Sequence, residues 1–170
     1  GFDHLFFVVA VGVMSLFTAH RMLAPAAYIG AMLVGCGLMY AGVALPLTEL
    51  VIVASLIVAG GLLASGRSFG MMPVLGLFAV FGLFHGSAFG GSIAGQEGGI
   101  GGAVLLGYLI GLGAIQYAIA VSAGWVVEKL GARSAASVNA RMAGAAIAGV
   151  GVFLALEVVE GPIVALLSAA

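Results

Sequence analysis

Hydrophobic residues run along this chain in long unbroken stretches, and polar positions are confined to short gaps between them. Six stretches come close to the roughly 20 residues that a helix needs to cross the hydrocarbon core of a bilayer. They cover Phe2 to Ala19, Ala26 to Leu45, Leu47 to Ser65, Gly70 to Gly90, Gly102 to Val127 and Met142 to Val159. The gaps read "HRMLAP", a proline turn at Pro46, "SGRSFG", the glycine-rich "GGSIAGQEGGIGG" and "EKLGARSAASVNAR". Continuous apolar runs, without strand-like alternation, predict helices rather than a barrel, because a helix satisfies its own backbone groups where no water is present. The expected fold is all-α: one polytopic bundle of six transmembrane helices over residues 1–170. "EGP" at 160–162 is expected to break the chain after the sixth helix, leaving "IVALLSAA" too short to span again.

Composition agrees with that pattern. Only 6% of residues are charged, against about 25% in a soluble domain, so the first partner is the lipid bilayer. A net charge of -1 provides no basic patch and excludes nucleic acid. One cysteine, Cys36, excludes an internal disulfide framework and any CxxC metal motif, and reads as a small packing residue. Neither GxSxG nor HExxH occurs, so no enzyme is expected, and no ATP-binding loop is present. Glycines lie inside the apolar runs, where small residues let helices approach closely. Such approach is predicted at Gly86 and Gly90, Gly107 and Gly111, Gly144 and Ala148, and Gly151 and Ala155. The chain starts at Gly1 rather than Met, which suits a cleaved signal peptide or a boundary of another kind upstream.

Charge sets an orientation. Arg21 lies in the first gap, Arg67 in the third, and Lys129, Arg133 and Arg141 in the fifth. All five bases therefore fall in odd-numbered loops, which the positive-inside rule assigns to the cytoplasm, with both termini on the other side. The expected location is a bacterial inner membrane, plasma or related internal. Asp3, His4, Glu49, Glu97, Glu157 and Glu160 then gather on the outer side. Asp3 and Glu49 open helices, where a carboxylate caps free N–H groups and suits the dipole, so capping alone is one account of them. Glu157 and Glu160 share a helix face and read as solvated.

His85 is different because it falls inside the fourth apolar run, about 22 Å along from Gly70 at 1.5 Å per residue. Ionisable groups at such depth are costly and mark function by default. Neutral imidazole and carboxylate are natural ligands for divalent nickel, cobalt or zinc. His4, His85, Asp3 and a nearby glutamate together have that chemistry. His20 beside Arg21 reads as an interfacial pair, Gln116 as an amide bonding between helices, Trp125 and Tyr28 as an inner aromatic belt, and Tyr40 as an outer one.

These residues carry a resemblance. "GFDHLFFVVAVG" resembles the first-helix motif of the HupE/UreJ family, a histidine, five residues, then Asp-His. "FHGSAFGG" resembles its fourth-helix motif, Phe-His-Gly-x-Ala-His-Gly-x-Glu, and "PLTE" resembles its third-helix start. The resemblance covers most of the chain and implies secondary transport of nickel or cobalt, often tied to hydrogenase or urease maturation. It implies metal-binding roles for Asp3, His4 and His85, and matches Glu49 to the acid opening helix 3. The motifs are incomplete. The first histidine would lie six residues before Asp3, Phe89 stands at the second histidine of the fourth-helix motif, and Ser92 at its glutamate. Glu97, five residues on, is a possible replacement. The expectation is a carrier or binder of Ni²⁺ or Co²⁺ with no required cofactor. The alternative is a structural or accessory subunit of a larger membrane complex, and a homo-oligomer is also open.

Overall fold

The computed structural model describes residues 1–94 and 101–168. Among these residues the chain forms helices and no strand: α1 (Phe2–Leu16), α2 (Leu23–Tyr40), α3 (Thr48–Ala64), α4 (Met71–Ala94), α5 (Gly102–Lys129) and α6 (Val138–Ser168). Four of them, α2, α4, α5 and α6, are long and apolar enough to cross a membrane. The other two are apolar but short, about 22 Å for α1 and about 25 Å for α3 at 1.5 Å per residue.

The short first helix is the hub. α1 packs against each of the other five helices, and its residues Val8, Ala10, Val11, Gly12, Val13, Met14 and Ser15 are buried in near-continuous sequence. A helix that is apolar all round belongs in an interior, and α1 occupies it. The closest packed pairs are α2 with α4, α3 with α6 and α1 with α5. Each depends on a small residue under a neighbouring backbone. A Cβ on Gly86 would collide with the Met32 carbonyl, one on Gly12 with the Ala120 carbonyl, and one on Gly60 with Ala148 and Gly144. The expected close approach therefore holds at Gly86, Gly90, Gly144 and Gly151. It does not hold at Gly107 and Gly111, which are exposed and face open space. α5 leaves that side uncovered because its only extensive partner is α1.

Two boundaries differ from expectation for local reasons. α2 begins at Leu23, since Pro25 lies in the first turn where its missing N–H costs nothing. It stops at Tyr40 rather than Leu45, because Gly42 takes a φ of 86° and its N–H closes onto Met39. α6 starts at Val138, not Met142, and runs through "EGP" to Ser168. Pro162 removes one helical N–H, but the remaining i to i−4 bonds still satisfy the backbone better than an open chain would in an apolar setting.

Side-chain ties gather the basic loops at one end. Arg21 donates from one guanidinium nitrogen to both carboxylate oxygens of Glu128, at 3.1 and 3.2 Å. His20, next to Arg21, is exposed at the same end. Arg141 Nε donates to the Ala64 carbonyl at 3.0 Å, satisfying an end of α3. Arg67 and Ala135 line one cleft with Phe17 and Leu63, so the first, third and fifth loops lie together. Trp125 is exposed at this end with Lys129 Nζ 5.8 Å from its ring centroid, as an interfacial aromatic should be.

Candidate metal centre

Histidines separated by 81 positions meet at the far side of α1 from Arg21. The Asp-His pair lies in the first turn of α1, so His4 and Phe7, three apart, project from one face. His85 lies on α4 with Phe89 one turn later. The imidazole centroids of His4 and His85 are 4.7 Å apart in an edge-on arrangement. Phe7 stacks on His85 at 4.4 Å and 18°. Phe89 meets His4 edge-on at 4.5 Å, and Tyr28 of α2 approaches the edge of His85 at 6.3 Å. His85 is fully buried and His4 is 9% exposed. From His85, α4 continues to Ala94, about 13 Å at 1.5 Å per residue, so the pair is recessed below that helix end.

Hydrogen bonding inside the cluster is incomplete. His85 Nε2 lies 2.9 Å from the hydroxyl of the fully buried Ser55 on α3. His85 Nδ1 and both ring nitrogens of His4 are buried with no hydrogen-bond partner. His4 Nδ1 is 3.0 Å from Asp3 Oδ1, an ion-pair distance. Buried polar atoms are paired as a rule, because an unpaired one costs about 1–3 kcal/mol. With Asp3 beside His4 Nδ1, the two ring nitrogens left with no polar partner, His4 Nε2 and His85 Nδ1, are the feature of this structure that calls for a ligand.

The sequence-selected residues divide accordingly. Asp3, His4 and His85 converge. Glu49 is exposed in the first turn of α3. Glu97 lies outside the described residues. Ser92 is exposed and Phe89 packs on His4. Among the described residues no group of three or more His, Cys, Asp and Glu side chains is arranged to hold a metal ion. The donor chemistry fits a divalent transition metal, but it consists of two imidazoles with one flanking carboxylate. Asp3 and Glu49 both lie in the first turn of their helices, where a carboxylate suits the helix dipole, while the N-cap residues themselves, Gly1 and Leu47, make no side-chain cap.

Three participants were missed in the sequence. Ser55 and Phe7 drew no signal among apolar neighbours. Tyr28, expected in an aromatic belt, is fully buried against Phe7 and His85. A tyrosine five residues into a helix is read as interfacial only if that helix lies at the bundle surface, and α2 turns this face inward onto α1 and α4.

Long apolar helices around a buried imidazole pair define an integral membrane protein with a polar site sealed in its interior. Residues 1–154 match the family described as HupE / UreJ protein, and the chain belongs to that family. No curated protein and no solved structure matches it.

Proposed function

We propose that this protein binds and translocates a divalent transition metal, nickel or cobalt, through the His4–His85 site. Membership of the HupE / UreJ family supports a nickel or cobalt transport or accessory role, and a non-enzymatic one. The observation that carries the reading is the meeting of His4 and His85, from α1 and α4, with His4 Nε2 and His85 Nδ1 unpartnered in an apolar interior. In this reading all six helices cross the membrane, with the short α1 and α3 shielded by their neighbours. The end bearing Arg21, Arg67, Lys129, Arg133 and Arg141 is cytoplasmic, and both termini are on the opposite side. The membrane is a bacterial inner membrane. Asp3 attracts the cation, His4 and His85 replace part of its water, and rearrangement about α1 opens the route inward. Glu49 and Glu97 act earlier, as acids on the side of entry. The drive is an ion gradient, the membrane potential or another subunit, since the chain contains no ATP-binding loop.

Calorimetric titration of the purified protein with Ni²⁺ and with Co²⁺ tests this directly. One equivalent should bind, and H4A combined with H85A should abolish the heat. Wild-type heats no larger than those of the double variant would overturn the proposal.

A second reading is favoured by the lack of a third ligand group among the described residues. In it the chain is an accessory subunit of a larger membrane complex that retains a remnant of the site. Extraction in mild detergent would then recover it at fixed stoichiometry with other subunits. Recovery as a monomer or homo-oligomer would count against this role.

A further inference from the structure

Ser55 makes two short contacts from one hydroxyl. Its Oγ is 2.6 Å from the Ile52 carbonyl oxygen on its own helix and 2.9 Å from His85 Nε2 on α4. A carbonyl only accepts, and a hydroxyl has a single proton. At 2.6 Å two oxygens without a proton between them repel, so the Ser55 proton points at Ile52. The Ser55 oxygen then faces His85 with lone pairs alone, and His85 Nε2 must be the N–H that donates to it. A neutral imidazole has one N–H, so Nδ1 is left as a bare lone pair.

The rest of the pocket agrees. Nδ1 is buried and has no hydrogen-bond partner. If the proton were on Nδ1, a buried donor would be orphaned, which proteins avoid more strictly than an orphaned acceptor. Phe7, stacked at 4.4 Å and 18°, fixes the plane of the ring, and α3 and α4 fix the approach of Ser55. Among the described buried serines, Ser15 also bonds back to its own helix, to the Val11 carbonyl four residues earlier at 2.6 Å, but has no hydrogen bond to an imidazole.

We propose that Ser55 is a positioning residue that holds His85 as its Nε2-protonated tautomer and so makes Nδ1 the nitrogen presented to a ligand. A ligating histidine is generally oriented by a bond from its other ring nitrogen, and loss of that partner lowers metal affinity about 10–100-fold. The ligand half of this assignment rests on the metal-binding reading above. The tautomer half does not, because it concerns the metal-free protein.

The test is ¹⁵N NMR of the full chain, labelled at its three histidines and reconstituted in nanodiscs, with the His85 signals assigned by their loss in H85A. Without metal, His85 should show a protonated Nε2 and an unprotonated Nδ1. S55A should collapse this to a tautomer mixture, S55T should preserve it, and S15A should leave it unchanged. Zn²⁺, a diamagnetic probe, should then shift Nδ1 rather than Nε2, and S55A should weaken Zn²⁺ binding at least tenfold while S55T binds as the wild type does. A protonated Nδ1 in the wild type, or a pure Nε2 tautomer that persists in S55A, would overturn the assignment. If wild type and S55T show the Nε2 tautomer but bind no Zn²⁺, the metal reading fails and the tautomer assignment stands. If Zn²⁺ binds wild type and S55A equally, the positioning role fails and the metal reading stands.

Discussion

His85 is enclosed by side chains from α1, α2 and α3, and each does a different job. Phe7 covers its face, Tyr28 and His4 meet its edges, and the Ser55 hydroxyl is hydrogen-bonded to its Nε2. The position one turn beyond it holds Phe89, whose ring is 4.5 Å from His4. A side chain at that position already reaches the first imidazole, so F89H should add a donor to the existing pair. Divalent metal affinity should rise at least tenfold, equivalent to about 1.4 kcal/mol, measured by competition with a chromogenic chelator. Equal affinity in wild type and F89H would mean that position 89 cannot direct a donor into the cluster. At this scale the sequence exposed the ionisable residues, because any ionisable group in an apolar run stands out. It could not expose Ser55. A serine in an apolar helix bonds back to its own turn whether or not it has another partner, and only the packing of α3 against α4 supplies the imidazole.

At the scale of helices, the bundle is fixed by where a side chain is absent. α2 and α4 approach through Gly86 beneath the Met32 carbonyl, and α1 and α5 through Gly12 beneath that of Ala120. G86L and G12L should each destabilise the fold by about 1–3 kcal/mol, since the obstacle is backbone and cannot rotate away. G107L should be neutral, because Gly107 faces open space. Detergent-solubilised thermal unfolding would check all three, and a destabilised G107L would reveal a partner on that face of α5. The spacing of small residues was visible in the sequence at Gly86 and Gly107 but not at Gly12, which has Val8 and Leu16 four positions away. The sequence did not show which pairs meet a neighbour, because a four-residue repeat marks a permissive face and not an occupied one. Helix ends were legible only to within a few residues, since the positive φ of Gly42 stops α2 at Tyr40 rather than at the expected Leu45. They were not legible at Pro162, where the helical backbone of α6 continues through the proline.

For the whole molecule, the basic loops gather at one end and the imidazole pair lies away from it. A single cysteine placed at Ser134 in the fifth loop, in a background lacking Cys36, should react with a membrane-impermeant maleimide only in inverted vesicles. One placed at Val43 in the second loop should react only in intact cells, and the opposite pattern would reverse the proposed orientation. The Arg21–Glu128 pair ties the first loop to the end of α5 but is exposed at both side chains, 58% and 42%. A double-mutant cycle of R21A and E128A should therefore give a coupling below about 1 kcal/mol, shrinking with salt. The sequence by itself determined that the chain is helical and membrane-embedded, because a bilayer permits few ways to satisfy an apolar backbone. It also determined which residues were expensive to place there. Tertiary structure decided that α1 is the hub, that His4 and His85 meet, that Glu49 stays exposed and that Ser55 completes the pocket. Those outcomes depend on which helices become neighbours, and uniformly apolar faces do not encode that choice in any one helix. It is made jointly by the small residues through which pairs of helices come together.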